Sequence, residues 1–260
     1  MDGHASDDEL WLRRYHPAPG AGVQLVCFPH AGGSASAFFA MAQALASCAD
    51  VLAVQYPGRQ DRRSEACVDS IPRLVDRIVP VLARRTDDRP LALFGHSMGA
   101  TVAFEVARRM EGSGGRAPLV LFVSGRRPPE SVRAESVHLR DDRGILAELD
   151  LLGGSLSAAL TDPEIRAMVM PSIRSDYRAA ETYTYTPGPP LTCPVVALTG
   201  DADPRAAVEE VAGWRAYTEG RFTLRVFEGG HFFLNDRPTA VQDAVRDHLG
   251  ALRVPGPDTR

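Results

Sequence analysis

The chain lacks lysine altogether, and all 29 of its basic residues are arginine. Because the sequence is also rich in alanine, proline and glycine, this absence indicates a bias of genomic composition rather than a functional device. The formal net charge is only -4, so nothing in the charge balance suggests a nucleic-acid partner. No apolar run approaches the length of a bilayer-spanning helix, and we expect no membrane span.

Cysteine is scarce as well. No two of the four cysteines have CxxC spacing, which argues against a redox or zinc motif. A chain of 260 residues can bury a substantial core without disulfides, and Cys27, in the apolar run LVCF, is predicted to be a buried thiol. The first ten residues, MDGHASDDEL, are polar and acidic, unlike a secretory signal. We therefore expect a protein of the reducing cytoplasm.

Strand-like and helix-like segments alternate along most of the chain. Amphipathic helical patterns separate short apolar runs, which is typical of a mostly parallel sheet covered by helices on both faces. The sequence thus predicts a single doubly wound α/β domain over residues 1–260. The predicted strands lie at residues 24–28, 51–54, 91–94, 119–124, 194–199 and 222–227.

The stretch from about 130 to 190 interrupts this alternation. It contains helical patterns and no convincing strand. A helical insertion between two strands of such a sheet lies over the carboxyl edge, where ligands bind. We interpret it as a lid; the alternative is an inert decoration.

Three polar loops follow predicted strands, so they should meet at the carboxyl edge of the sheet. Ser97 lies in GHSMG, Asp201 and Asp203 lie in GDAD, and His231 follows two glycines in EGGHFFL. GxSxG alone is weak evidence, but the chain order serine, acid, histidine is that of the α/β-hydrolase catalytic triad. A serine hydroxyl needs an imidazole to remove its proton, and a carboxylate orients that imidazole. Periodicity does not choose between the two aspartates.

Acyl transfer through a serine also requires donors for the oxyanion of the tetrahedral intermediate. The amide of Met98, the residue after the nucleophile, is one expected donor. The glycine loop PHAGG at 29–33 follows the first predicted strand and supplies the other, for which we choose the amide of Ala31. For His30, in the same loop, we expect the backbone to matter more than the imidazole.

Seven motifs together carry a resemblance to a known family. The chain resembles the type II thioesterases that accompany polyketide and nonribosomal peptide synthetases, from about residue 23 to 250. PHAGG and YPGR are the discriminating pieces, because many α/β-hydrolases carry GHSMG. The motifs are FPHAGGSASAF (28–38), QYPGRQDR (55–62), GHSMGA (95–100), SGRRPP (124–129), SDYRAAETYTY (175–185), TGDADP (199–204) and EGGHFFL (228–234).

The resemblance implies an α/β-hydrolase fold and an activity that no residue pattern alone establishes. In that family a discrete hydrolase removes unproductive acyl groups from the phosphopantetheine arms of carrier proteins. The acid is commonly the third residue after the glycine of the acid loop, which implies Asp203 as the catalytic acid. Asp201 is then a loop or capping residue. The implied partner is an acyl or peptidyl carrier protein, and we expect a monomer.

Two clusters of arginine follow predicted strands. Solvated loop charge is the default interpretation of each residue, but arginine also suits a phosphate or an acidic protein surface. We hypothesise that at least one cluster contacts the carrier protein or its phosphate. The residues are Arg59, Arg62 and Arg63 after the second predicted strand, and Arg126 with Arg127 after the fourth.

Two other functions remain open at this stage. One is a generic carboxylesterase or lipase of the same fold, and the other is a hydrolase-like binding module without catalysis. Such modules usually lose a member of the triad, whereas this chain retains all three. Four other histidines have no metal-ligand spacing, and we expect neither a metal nor a cofactor. Those histidines are His4, His16, His138 and His248.

Overall fold

The computed structural model describes residues 7–112, 114, 116–131, 133, 135–153 and 160–252. The strands are β1 (Leu12–Arg13), β2 (Gln24–Phe28), β3 (Asp50–Val54), β4 (Leu91–His96), β5 (Val120–Ser124), β6 (Val195–Gly200) and β7 (Phe222–Phe227). The α-helices are α1 (Asp7–Trp11), α2 (Phe39–Leu45), α3 (Ile71–Arg85), α4 (Met98–Gly112), α5 (Asp142–Leu152), α6 (Pro163–Glu181), α7 (Val208–Ala212), α8 (Phe233–Asp236) and α9 (Pro238–Ala251). Short 3₁₀ helices lie at Ala35–Phe38, Gln60–Arg62, Val137–Leu139 and Gly213–Tyr217.

The strands form one sheet in the order β1-β3-β2-β4-β5-β6-β7. Strand β1 runs antiparallel to β3, whereas the other pairs of neighbours are parallel. The six predicted strands are all present, within one or two residues of their predicted bounds. Strand β1 was not predicted because two residues are too few to show a period. The prediction of a mostly parallel α/β sheet is confirmed.

Strand β4 shows why apolar runs form this layered structure. Leu91 and Leu93 join the core cluster that contains residues of α3 and α4. Ala92 and Phe94 join the cluster that contains residues of α2 and α9. Successive side chains of a strand point to opposite faces, so a continuously apolar strand feeds both cores. Full burial of each large side chain contributes roughly 1.5–3 kcal/mol.

The segment between β5 and β6 carries helices α5 and α6 and a small core of its own. Asp141 caps α5 by accepting a hydrogen bond from the Gly144 amide at 2.8 Å, and Gly153 ends that helix at φ 77°. Asp162 caps α6. The described residues between 130 and 190 include no strand, in agreement with the sequence, and 132, 134 and 154–159 lie outside the described residues. Residues of both helices meet in this separate core, which includes Ile145, Leu149, Met170 and Ile173.

Among the described helices, none has the length and apolar character that crossing a bilayer requires.

Candidate active site

Ser97 stands at a strained turn between strand β4 and helix α4. Its φ is +54°, in the left-handed region that a residue with a side chain rarely adopts. The Ser97 amide donates to the Ser124 carbonyl at 2.8 Å, and the Ser97 carbonyl accepts from the Ala100 amide at 3.0 Å. These bonds hold the turn in place, and Ser97 lines the cavity above the sheet. A nucleophile elbow of an α/β-hydrolase has this geometry.

The two glycines that flank the serine are required by close backbone packing. A Cβ atom at Gly95 would lie 2.1 Å from the Gly99 carbonyl oxygen, and one at Gly99 would lie 2.0 Å from the Phe28 carbonyl oxygen. Both distances are far inside van der Waals contact. The glycines therefore let strand β4, helix α4 and the end of strand β2 pack closely enough to form the turn.

The acid loop and the histidine loop meet through one carboxylate. The Nδ1 atom of His231 lies 2.8 Å from Oδ2 of Asp203, and both side chains are almost fully buried. The other oxygen of Asp203 accepts hydrogen bonds from the amides of Arg205 at 2.8 Å and Ala206 at 3.2 Å. Asp201 is exposed and accepts from the Gly229 amide at 2.9 Å. The structure thus brings Asp203, and not Asp201, to the histidine.

The expected oxyanion donors lie in the same cavity as the serine. Ala31 and Met98 both line it, together with Ser97 and His231. Helix α4 begins at Met98, so the amide of this residue belongs to the first turn, whose N–H groups have no acceptor within the helix. Ala31 is the second residue of a turn that the Gly33 amide closes on the His30 carbonyl at 2.9 Å.

Two further histidines flank His231, and burial keeps both neutral at pH 7. Burial lowers the pKa of His30 to about 4, helped by nearby His231 and Arg59. Burial also lowers the pKa of His96 well below its usual range, with His231 and His30 adding to the effect. The His96 ring lies 5.1 Å from the His231 ring, centroid to centroid. Sequence reasoning missed His96, although it directly precedes Ser97 in GHSMG.

The insertion forms one wall of the cavity. Leu149 and Leu152 of α5 line it, as do Tyr177, Ala180 and Glu181 of α6. The carboxylate of Glu181 accepts from the amides of Val137 and His138. The predicted position of the insertion, over the carboxyl edge beside the serine, agrees with this placement.

Three of the five arginines proposed for docking are buried, so solvated loop charge is a wrong interpretation for them. Arg59 is 7% exposed and pairs with Asp176. Arg62 is 2% exposed, pairs with Glu65 and covers the Trp11 ring. Arg127, 6% exposed, pairs with Glu135 at 3.0 Å.

These three guanidiniums already have acceptors inside the protein, so they are not available to a carrier protein.

The other two arginines are accessible in different ways. Arg63 is exposed on the surface. Arg126 lines the cavity, and burial beside Arg127 lowers its pKa to about 10. The other ionised residues of the cavity wall have ion-pair or hydrogen-bond partners within the protein, whereas among the described residues none pairs with the Arg126 guanidinium.

The described part of the chain holds no group of three or more His, Cys, Asp or Glu side chains suited to a metal ion. Cys27 is buried, as expected.

A serine on a strained strand-to-helix turn, beside a buried carboxylate–histidine pair at the carboxyl edge of a mostly parallel sheet, defines a protein of the α/β-hydrolase fold. A family model described as "Thioesterase domain" matches residues 23–249. The chain therefore belongs to the thioesterase domain family.

Individual relatives agree with this membership. The chain is 49% identical over 254 residues to "Thioesterase PikA5" of Streptomyces venezuelae, covering 98% of this chain and 90% of that protein. The solved structure of the type II thioesterase BorB, from the borrelidin biosynthetic cluster, superimposes with a TM-score of 0.86 at 48% identity, covering 94% of this chain and 100% of that one. RedJ, a thioesterase of the prodiginine pathway of Streptomyces coelicolor, gives 0.81 at 39% identity, with coverage of 91% and 87%. These comparisons confirm the resemblance to type II thioesterases.

Proposed function

We propose that the protein is a serine thioesterase that removes acyl groups from the phosphopantetheine arms of carrier proteins serving a polyketide or nonribosomal peptide synthase. Membership of the thioesterase domain family supports thioester hydrolysis. The relative from the borrelidin cluster supports a role in the synthesis of secondary metabolites. One observation carries the proposal most directly: Ser97 and His231 line one cavity, and His231 is hydrogen-bonded to the buried Asp203.

The first half of the reaction acylates the serine. His231 removes the proton from the Ser97 hydroxyl as the oxygen attacks the thioester carbonyl carbon. Asp203 keeps the proton of the imidazole on Nδ1, which leaves Nε2 free to act as the base. The amides of Ala31 and Met98 donate to the oxyanion of the tetrahedral intermediate. The C–S bond then breaks, His231 returns the proton to the departing thiolate, and the acyl group stays on Ser97.

The second half repeats these roles with water. His231 takes a proton from a water molecule as that water attacks the acyl ester carbon. The same two amides stabilise the second oxyanion. Collapse of this intermediate releases the carboxylic acid and returns the proton to the Ser97 oxygen. The buried setting of Asp203 and His231 suits both halves, because charge–charge interactions are stronger away from water.

A comparison of matched substrates tests the substrate class. An acyl-phosphopantetheinyl carrier protein should be hydrolysed in clear preference to an oxygen ester of the same acyl group, and mass spectrometry should detect an acyl group on Ser97. A clear preference for the oxygen ester would instead indicate a generic carboxylesterase. Failure of a fluorophosphonate probe to label Ser97 would favour the non-catalytic binding module.

The contact with the carrier protein is now proposed for Arg63 and Arg126 alone. Arg63 is exposed and available to an acidic protein surface. Arg126 lies in the cavity wall without a salt-bridge partner among the described residues, so its planar guanidinium can bind an anionic group of the incoming arm. Arg126→Ala should weaken hydrolysis of the acyl-carrier substrate more than that of an acyl-N-acetylcysteamine, which lacks protein and phosphate. Equal losses on both substrates would place its role in the acyl pocket.

A further inference from the structure

The loop that carries the Ala31 amide is a tight turn of four residues, His30 to Gly33, here called the oxyanion loop. The Gly33 amide closes it by donating to the His30 carbonyl at 2.9 Å. Gly32, the third residue, has φ +75°, the value that a type II turn requires at that position. The direction of the Ala31 amide therefore depends on the turn keeping this shape.

A buried ion pair is hydrogen-bonded to the backbone of the oxyanion loop. The Gly32 amide donates to Oδ2 of Asp176 at 2.8 Å, and Nη1 of Arg59 donates to the Gly33 carbonyl at 2.9 Å. Arg59 and Asp176 also bond to each other in two-pronged fashion, at 2.5 and 2.8 Å. Two successive residues of the loop are thus each fixed by one member of the pair.

Stability alone is a poor explanation for this pair. Asp176 is 1% exposed and Arg59 is 7% exposed, and burial of an ion pair costs about as much as its attraction returns. Burial acts to lower the pKa of Arg59, but the charge and hydrogen bonds of Asp176 outweigh that effect and raise it. The guanidinium therefore stays charged, and its bonds stay directed at the loop.

The pair joins the oxyanion loop to the insertion. Arg59 lies in the loop after strand β3, whereas Asp176 lies on helix α6. The next residue of that helix, Tyr177, lines the cavity, as do Ala180 and Glu181. One helix therefore contributes both to the wall of the acyl cavity and to the support of the oxyanion loop.

We propose that Arg59 and Asp176 are positioning residues for the oxyanion hole, and that the seating of helix α6 sets the direction of the Ala31 amide. The inference rests on the proposed acyl-transfer function. It assigns no proton transfer to the pair. Because the oxyanion forms only in the transition state, the pair should act on kcat and leave KM nearly unchanged.

Two variants separate positioning from folding. Asp176→Asn keeps the shape of the side chain but removes the charge and one of the bonds to Arg59. The double variant Arg59→Met/Asp176→Leu removes both buried charges together, a change that is often neutral or stabilising for the fold. Removal of one oxyanion donor costs about 10²–10³ in kcat, and misplacement by about 1 Å costs about 10². We expect both variants to lose at least about tenfold in kcat, with the double variant folded.

Asp50→Asn is a matched control at the opposite edge of the sheet. Asp50 is also a buried carboxylate that accepts from a backbone amide, that of Ala18 at 3.2 Å, and pairs with Arg89 at 2.9 Å. It should lower stability without changing the kcat of the folded protein. Arg59→Lys keeps the positive charge but offers it as a point charge in place of a planar fork. It should therefore lose less kcat than the double variant Arg59→Met/Asp176→Leu.

The readouts are kcat and KM on an acyl-N-acetylcysteamine, the rate of Ser97 phosphonylation by a fluorophosphonate, and the folded fraction from urea denaturation. A well-folded double variant with kcat within about threefold of the unsubstituted protein would overturn the inference, since a misplaced donor costs far more. A change in KM at constant kcat in either variant would also overturn the inference. If the unsubstituted protein hydrolyses no thioester, the proposed function fails, while the ratio of phosphonylation rates still decides the role of the pair.

Discussion

Replacement of Asp203 by asparagine should abolish most activity through a change of histidine tautomer. Oδ1 of Asp203 accepts two backbone hydrogen bonds, from Arg205 at 2.8 Å and Ala206 at 3.2 Å. In Asp203→Asn the amide oxygen must occupy this position, because an NH₂ group there would face two donors. The NH₂ group is then placed at the Oδ2 position, 2.8 Å from Nδ1 of His231.

A donor at that position forces Nδ1 of His231 to accept, so the imidazole proton moves to Nε2. A protonated Nε2 cannot take the proton of Ser97, and the base is lost although the site keeps its shape. In serine proteases the same substitution lowers kcat by about 10⁴, which corresponds to about 5 kcal/mol of transition-state stabilisation. We expect a loss of similar size here, with a small change in KM.

Asp201→Asn is the matched control in the same loop. Asp201 accepts a hydrogen bond from the Gly229 amide at 2.9 Å, and an asparagine oxygen can accept it equally well. Steady-state hydrolysis of an acyl-N-acetylcysteamine, with folding checked by circular dichroism, measures both variants. The tautomer argument is refuted if Asp203→Asn keeps kcat within about tenfold of the unsubstituted protein, far above the loss seen in proteases, or if Asp201→Asn is the more damaging change.

Three further outcomes follow from the structure. Gly99→Ala should destabilise the protein by about 3 kcal/mol or more in urea denaturation, since its Cβ would lie 2.0 Å from a backbone oxygen. A Cβ at Gly112, on the same helix, meets none of the described residues within 4 Å, so Gly112→Ala should change stability little. The pKa of His30 is about 4 in the fold against its usual 6.5, so between these values the unfolded chain binds a proton that the folded chain does not. The free energy of unfolding should therefore fall by about 3 kcal/mol between pH 7 and pH 4. If His30→Gln loses as much stability over this pH range as the unsubstituted protein, this assignment is contradicted. Arg63→Glu should slow hydrolysis of acyl-carrier substrates, more at low salt, and leave the rate of hydrolysis of an acyl-N-acetylcysteamine unchanged. An equal loss of rate on both substrates would mean that Arg63 supports the fold and not docking.

The sheet was predictable because five of its strands, β2 to β6, are buried on both faces. Residues such as those of β2 are all fully buried, so the sequence there is an unbroken apolar run that ends where polar loop residues begin. The same contrast located Ser97, which directly follows strand β4. His231 lies in the loop after strand β7, which is partly exposed, and the two glycines before it marked that loop. Strand β1 has only two residues, and its pairing with β3 depends on the tertiary fold rather than on a local pattern.

Local sequence patterns did not distinguish Asp201 from Asp203 as the candidate catalytic acid, and either the family resemblance or the structure was needed. Asp201 and Asp203 lie two residues apart in one loop, and both side chains accept backbone hydrogen bonds. What distinguishes them is a contact with His231, 28 residues further along the chain. The family pattern implied Asp203, and the structure brings this residue to the histidine.

The buried arginines show where reasoning from local sequence reaches its limit. Arg59 lies in a loop of polar residues, PGRQDR, in which solvation is the ordinary state of a charge. Its partner Asp176 is 117 residues away, so no window of sequence contains both. A guanidinium can be buried only where its charge is compensated, and here the compensating carboxylate arrives with the insertion helix. An arginine that the sequence suggested as a docking contact is thus held inside by the insertion, against the loop that we propose stabilises the oxyanion.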